Sequence, residues 1–202
     1  MSAERPFALH FTWTTYGTWL PGDERGHVSN TLHAPGDWSP RVNTPGTDYT
    51  KDHDRTHRLA RQAQKGETVW LTPWQAQVVA ESVIAAIALR HWRILRGTIM
   101  TNHVHFLVVD CPTDATAVRL ILKGNSQAAL STDHGSPCRW WTAGRSDRYK
   151  NDDLAVENTV RYIENQERIL VAIRENQIHR GKPGGAKLAY HHFSSTPNFS
   201  PS

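Results

Sequence analysis

Apolar and polar side chains alternate through Ala8-Leu9-His10-Phe11-Thr12-Trp13-Thr14-Thr15-Tyr16, the two-residue period of a strand with one buried face. Residues 7–16 therefore read as a strand, and Pro21-Gly22-Asp23 breaks it. From Glu24 to Gly66 the chain is rich in Gly, Pro, Asp, Thr and His, with little periodicity before Thr56. An irregular insertion over residues 21–70, with one short helix around His57 to Gln64, is the expectation. Thr72-Pro73-Trp74 opens a helix reaching about His91, with Thr72 as N-cap and Pro73 in the first turn. Val78, Val79, Ser82, Val83, Ala86 and Ile87 supply its apolar face.

Trp92 to Met100 and His103 to Val109 read as two strands of a hairpin. A helix follows from Asp114 to Leu130, with Val118, Leu120, Ile121 and Leu122 around its buried side. Arg139 to Thr142 reads as another strand, and Gly144 to Lys150 as a basic loop or short strand. Asn151-Asp152-Asp153 then supplies the polar start of a last helix, where acidic side chains suit the positive end of the helix dipole. Val156, Val160, Ile163 and Leu170 recur at helical spacing as its buried stripe. These elements predict an α/β chain of the α+β sandwich kind, a ferredoxin-like antiparallel sheet with helices packed on one face. Residues 1–175 are expected to form one domain carrying the insertion. Residues 176–202, rich in Gly, Pro and Ser, are expected to be a flexible tail.

Two of these elements carry candidate chemistry. In Asn102-His103-Val104-His105-Phe106, strand alternation sends His103 and His105 to one face and Val104 to the other. Two imidazoles one strand-repeat apart can share a divalent metal. An isolated His-x-His is as readily a pair of partly exposed strand histidines, and the chain has 12 histidines from which such pairs arise. The last helix adds a second feature. At about 100° per residue, Tyr162 lies well off the apolar stripe, on a flank shared with Thr159 and Gln166. A phenol and an amide four residues apart project together from one surface.

A His-hydrophobic-His strand followed by a helix bearing Tyr-x-x-x-Gln resembles the HUH single-tyrosine transposases, which include insertion-sequence transposases and REP-associated tyrosine transposases. Three further stretches carry the resemblance. Ala8 to Gly17 is similar to the family's opening strand, Gly97-Thr98-Ile99-Met100-Thr101-Asn102 to the approach to its histidine strand, and Trp140 to Tyr149 to its Trp-rich basic segment. The resemblance spans residues 7–170, with its elements in the family's order. Four residues after the tyrosine the REP-associated branch carries Asn-Pro, whereas this chain has Gln166-Glu167, nearer the insertion-sequence branch. The family core does not account for residues 21–70.

The resemblance implies a DNA transposase that cleaves and rejoins single-stranded DNA at hairpin-bearing ends. Tyr162 would be the nucleophile, and His103, His105 and Gln166 the ligands of Mg²⁺ or Mn²⁺. Attack by Tyr162 would leave a 5′-phosphotyrosine bond and free a 3′-hydroxyl. Relatives act as dimers or as monomers, so a homodimer is one expectation. The residues themselves support parts of this. Oxygen ligands suit Mg²⁺ or Mn²⁺, and imidazole favours Mn²⁺. The DNA-contacting candidates are Lys123 and Gln127, one turn apart on the helix from Asp114 to Leu130, and Arg139, Trp141, Arg145, Arg148 and Lys150 in the basic segment.

Composition adjusts this picture modestly. The 202-residue chain has a net charge of +4 and a sequence pI near 9.3, which favour a polyanionic partner. Its 8 tryptophans suit core anchoring as well as base stacking. Cys111 and Cys138 form neither a metal cluster nor a disulfide framework, pointing to a reducing cytoplasm. No apolar run approaches the ~20 residues of a membrane span. His27, His33, His53 and His57 fit no zinc spacing and are expected as solvated loop residues. Two other readings fit parts of the chain. His10-Phe11-Thr12-Trp13 matches the His-hydrophobic-Thr strand motif of 2H-type phosphoesterases. The second such motif that family needs is replaced by His103-Val104-His105-Phe106, so His10 is expected to be structural. The second is a non-catalytic DNA-binding module derived from a transposase.

Overall fold

A computed structural model describes residues 8–20, 31–34, 37–39 and 53–181. In chain order the elements are β1 (Ala8–Thr14), β2 (Thr31–Ala34), β3 (Asp37–Ser39), α1 (His53–Gln62), α2 (Pro73–Ala88), β4 (Arg93–Ile99), β5 (His103–Val109), α3 (Ala115–His134), β6 (Ser146–Lys150), α4 (Asp153–Glu164), β7 (Val171–Arg174) and β8 (Gln177–Arg180). Six strands form one sheet in the order β6-β1-β5-β4-β7-β8, antiparallel throughout. β2 and β3 make a separate two-stranded sheet.

The α+β class and the antiparallel sheet are as expected, but the helices divide between two faces. Leu9, Phe11 and Trp13 of β1 and Val104, Phe106 and Val108 of β5 pack in one core with residues of α2 and α3. Ala8, Leu95, Leu107 and Val109 point the other way and meet Val156, Val160 and Ile163 of α4. The reason lies in β5, whose apolar run continues unbroken from Phe106 to Val109. A strand apolar at consecutive positions has both faces covered.

Several boundaries follow the local chemistry foreseen for them. Thr72 caps α2 in a full capping box with Gln75, and Pro73 sits in the first turn. Asp114 caps α3 and Asp152 caps α4. In α3, Val118 and Leu122 are buried while Leu120 is exposed, because only residues one turn apart share a face.

Three expectations are corrected. Residues 139–142 form no strand: Trp141 makes a single bridge to Thr15, and the strand that pairs with β1 is β6. α4 stops at Glu164 rather than running to Leu170. The expected tail boundary falls inside a hairpin, since β7 and β8 pair around Glu175-Asn176, both at positive φ, and β8 covers residues 177–180. The remainder of that segment, 182–202, lies outside the described residues, as do residues 21–30, 35–36 and 40–52 of the insertion. Among the described residues no helix is long and apolar enough to cross a membrane.

Candidate active site

The face under α4 carries the polar residues. β1 and β5 pair with Thr12 opposite His105 and Thr14 opposite His103, and cross-strand partners share a face. His10, Thr12, His103 and His105 therefore stand together beside α4. Three apolar side chains seat that helix, each buried residue contributing about 2 kcal/mol. A part-buried ion pair, Arg96 Nε to Glu164 Oε1 at 2.8 Å, holds its last turn against β4. The seating leaves Tyr162 half exposed, at 51%, with its ring edge-on to His105 at 5.1 Å between centroids and to His10 at 5.9 Å. His103 and His105 lie 5.0 Å apart, ring to ring.

Hydrogen bonds orient both candidate ligands. His103 Nδ1 is 2.7 Å from Asn102 Oδ1; an amide oxygen only accepts, so Nδ1 donates and Nε2 carries the lone pair. His105 Nδ1 is 2.8 Å from Thr12 Oγ1 and 3.3 Å from His10 Nε2. His105 Nε2 is buried with no hydrogen-bond partner among the described residues. An unpaired buried nitrogen beside a half-exposed imidazole fits the donor set of a divalent-metal site, and the partners on the far nitrogens are of the kind that orient metal-binding histidines. The loop after β1 braces this edge. Thr15 N and the hydroxyls of Thr15 and Thr18 all donate to Asn102 O, and Trp19 stands edge-on to His103 at 6.1 Å. Gly17 turns that loop at φ 78°, where a Cβ would strike Gln64 and Thr68.

Electrostatics keeps the buried imidazoles neutral. Burial lowers His10 to about 4, helped by the positive charges of Lys150 and Arg148. Burial, then His103 and His10, lower His105 to about 2. Unfolded, each would titrate near 6.5. Above pH 6.5 both states are neutral and stability is complete. As pH falls below it the unfolded chain takes up protons that the folded chain refuses, and stability is lost toward the folded values. Between pH 7.5 and pH 5 the chain should lose about 2 kcal/mol per buried imidazole. Urea unfolding in excess chelator at the two pH values measures this; equal stability at both would show that these histidines are not held neutral.

The structure separates the remaining candidates. Gln166 lies beyond the end of α4, and its Nε2 donates to the Tyr162 carbonyl at 3.0 Å. Among the described residues no hydrogen bond joins it to His103 or His105, so it stands beside the tyrosine rather than on the imidazoles. Trp141 is a core residue, 4% exposed; its ring meets Trp13 edge-on and its Nε1 donates to Ser126 Oγ, so no base can stack on it. Lys123 donates to the carbonyls of Thr142 and Gly144, and burial lowers it to about 8. Gln127 donates to the Cys138 carbonyl and accepts from Trp140 N. Both residues are thereby committed to shaping residues 138–144.

Arg139 lies over the Tyr16 ring, and Arg145 is 3.6 Å from Asp147. Arg148 is different. It pairs opposite His10 across β1 and β6, with Lys150 opposite Ala8, so both cations share the face of the tyrosine and the histidines. His10 was expected to be structural, yet it touches both His105 and Tyr162. The alternation that separates Leu9, Phe11 and Trp13 from His10 and Thr12 was the signal for it. His57 lies half-buried on α1, while the side chains of His27, His33 and His53 lie outside the described residues. Among the described residues no three His, Cys, Asp or Glu side chains gather as a metal cluster, so a metal here would rest on the histidine pair and oxygen donors.

No protein-family model and no curated protein matches the chain. Among solved structures, one described as a REP-associated tyrosine transposase bound to a REP hairpin is similar at 10% identity and a TM-score of 0.43, covering 80% of this chain. The chain spans about two thirds, 66%, of that protein. A likeness this loose leaves the functional reading to the site's own geometry.

Proposed function

We propose that this chain cleaves and rejoins single-stranded DNA as a transposase of the single-tyrosine kind, with Tyr162 as nucleophile and a divalent metal, Mg²⁺ or Mn²⁺, at His103 and His105. One observation carries the reading: a half-exposed tyrosine stands against a pair of strand histidines, one of which, His105, has a buried Nε2 with no hydrogen-bond partner among the described residues. Chance packing has no need to bring a phenol, two imidazoles and two cations to one face.

The metal, when bound, would supply positive charge to a phosphate oxygen and so lower the barrier to displacement. The chain's own residues do the rest. Tyr162 is fixed by α4 beside the imidazoles, and its exposed half lets a phosphate approach in line. Its oxygen forms a bond to phosphorus as the bond from phosphorus to the 3′-oxygen breaks. The phenol proton passes to solvent, and the departing 3′-oxygen takes one up as a hydroxyl. The reverse displacement, by a 3′-hydroxyl on the phosphotyrosine, rejoins a strand without a nucleotide cofactor. Arg148 and Lys150 share the sheet face of the histidines and are placed to hold flanking phosphates. Gln166, adjoining the Tyr162 backbone, could turn its amide oxygen to the metal once DNA is bound. Tyr162 and both histidines come from one chain, so a homodimer is not needed to assemble them.

The His10-Phe11-Thr12 motif of a 2H-type phosphoesterase does lie on this face. Its histidine, however, is 7% exposed and turned toward His105, not toward solvent. A non-catalytic DNA-binding role leaves the tyrosine-histidine juxtaposition without a purpose.

The expected partner is single-stranded DNA carrying a small hairpin. Titration of hairpin-bearing strand, unstructured strand and duplex of matched length should rank them in that order, with affinity falling steeply as salt rises. Incubation with Mn²⁺ should give a denaturant-resistant protein–DNA adduct on the first substrate, absent in excess chelator. Tighter binding to plain duplex, with no adduct on any strand, would contradict the proposal.

A further inference from the structure

We infer that His10 and Thr12 are positioning residues that hold His105 as its Nδ1–H tautomer, so that Nε2 presents a lone pair to a divalent cation. The inference rests on the metal reading above and names residues which that reading leaves without a role.

A neutral imidazole carries one N–H. If it were on Nε2, a buried donor would face no acceptor, because that atom has no hydrogen-bond partner among the described residues. On Nδ1 it meets Thr12 Oγ1 at 2.8 Å, with His10 Nε2 at 3.3 Å as a second acceptor. The sheet supplies the means. Thr12 is directly opposite His105 and His10 is opposite Leu107, one diagonal step away on the same face. The His-x-Thr of β1 thus reaches across to the His-x-His of β5. Asn102 holds His103 by the same logic, so each strand histidine has its Nδ1 engaged by a neighbouring side chain.

His10 must then accept with Nε2 and keep its own proton on Nδ1. Its ring also lies edge-on to Tyr162, at 5.9 Å, so one buried residue sets the tautomer of a ligand and the seat of the nucleophile. A merely structural histidine in this position would give packing volume, which a phenyl ring replaces. The acceptor is what a phenyl ring cannot replace.

The direct test is ¹⁵N NMR of the histidine rings in the metal-free parent, without DNA. His105 should show a protonated Nδ1 and an unprotonated Nε2. Mn²⁺ affinity, measured by electron paramagnetic resonance without DNA, should fall about tenfold in His10→Phe and in Thr12→Val, within the range typical of residues that orient metal ligands. The double variant should lose more, and His10→Gln, which keeps an acceptor, should recover most of the loss. A parent His105 protonated on Nε2 would overturn the inference, as would unchanged Mn²⁺ affinity in a folded double variant. The tautomer is read without metal, DNA or turnover, so it decides this point even if the protein proves unable to cleave DNA. It also needs only the parent protein, should the His10 variants fail to fold.

Discussion

Tyr162→Phe should fold like the parent and form no covalent adduct with DNA. The substitution keeps the ring that meets His10 and His105 and removes one oxygen from a residue that is half exposed. A change of this sort costs within about 0.5 kcal/mol of stability, so the unfolding midpoint should scarcely move. Binding to single-stranded DNA should also persist, since Arg148 and Lys150 are untouched. The loss should be complete because no other phenol on the described face stands beside the histidines. Tyr149, in the basic segment, points to the other side of β6 and donates its hydroxyl to Thr113 O. Adduct formation by Tyr162→Phe at the parental rate would remove Tyr162 from the chemistry.

The second large effect is expected at the histidines. His103→Ala should lower Mn²⁺- or Mg²⁺-dependent cleavage by about three powers of ten, since charge neutralisation by a bound metal contributes several kcal/mol to the barrier. His103 is half-buried and its loss should leave the fold intact. His105 is 2% exposed, so its alanine variant would also open a cavity, and its unfolding midpoint must be read alongside its rate. Excess chelator should act on the parent as His103→Ala does. Gln166→Ala should be milder, because water can fill one oxygen position. Cleavage by a folded His103→Ala protein that remains at the parental rate in chelator would remove the metal from the account.

The site was legible where burial and alternation coincide. His103 and His105 could be placed on one face because Val104, between them, belongs to an apolar set. Tyr162 could be placed off the core because Val156, Val160 and Ile163 define the buried stripe. The same reasoning applied to β1 would have put His10 and Thr12 on the opposite side from Leu9, Phe11 and Trp13. What alternation alone could not show is that this side faces β5's histidines, which depends on the β1–β5 register.

Other elements were hidden or only half legible for physical reasons. β6 reads Ser-Asp-Arg-Tyr-Lys; without apolar alternation this fits a basic loop as well as a short strand, and pairing with β1 decides for the strand. Trp140 and Trp141 mimic a strand in sequence, yet they are anchored to α3 through Ser131 and Ser126. Leu170 matches the helical period of α4 without belonging to it; its amide donates instead to Ile99 O. The β7–β8 hairpin is faint in the sequence because each strand has four residues and its turn is Glu175-Asn176 rather than a glycine pair. Asn176, a residue type that tolerates the positive φ it adopts here, is the available cue.

The central claim is that Tyr162 becomes bonded to the 5′-phosphate of a cut strand. Mass spectrometry of the protease- and nuclease-digested adduct tests this most directly. The account predicts a single modified peptide, bearing a nucleotide joined through its 5′-phosphate to the Tyr162 oxygen, and a free 3′-hydroxyl on the released strand. Linkage through a 3′-phosphate, attachment to any other residue, or cut strands with no attached protein would contradict it.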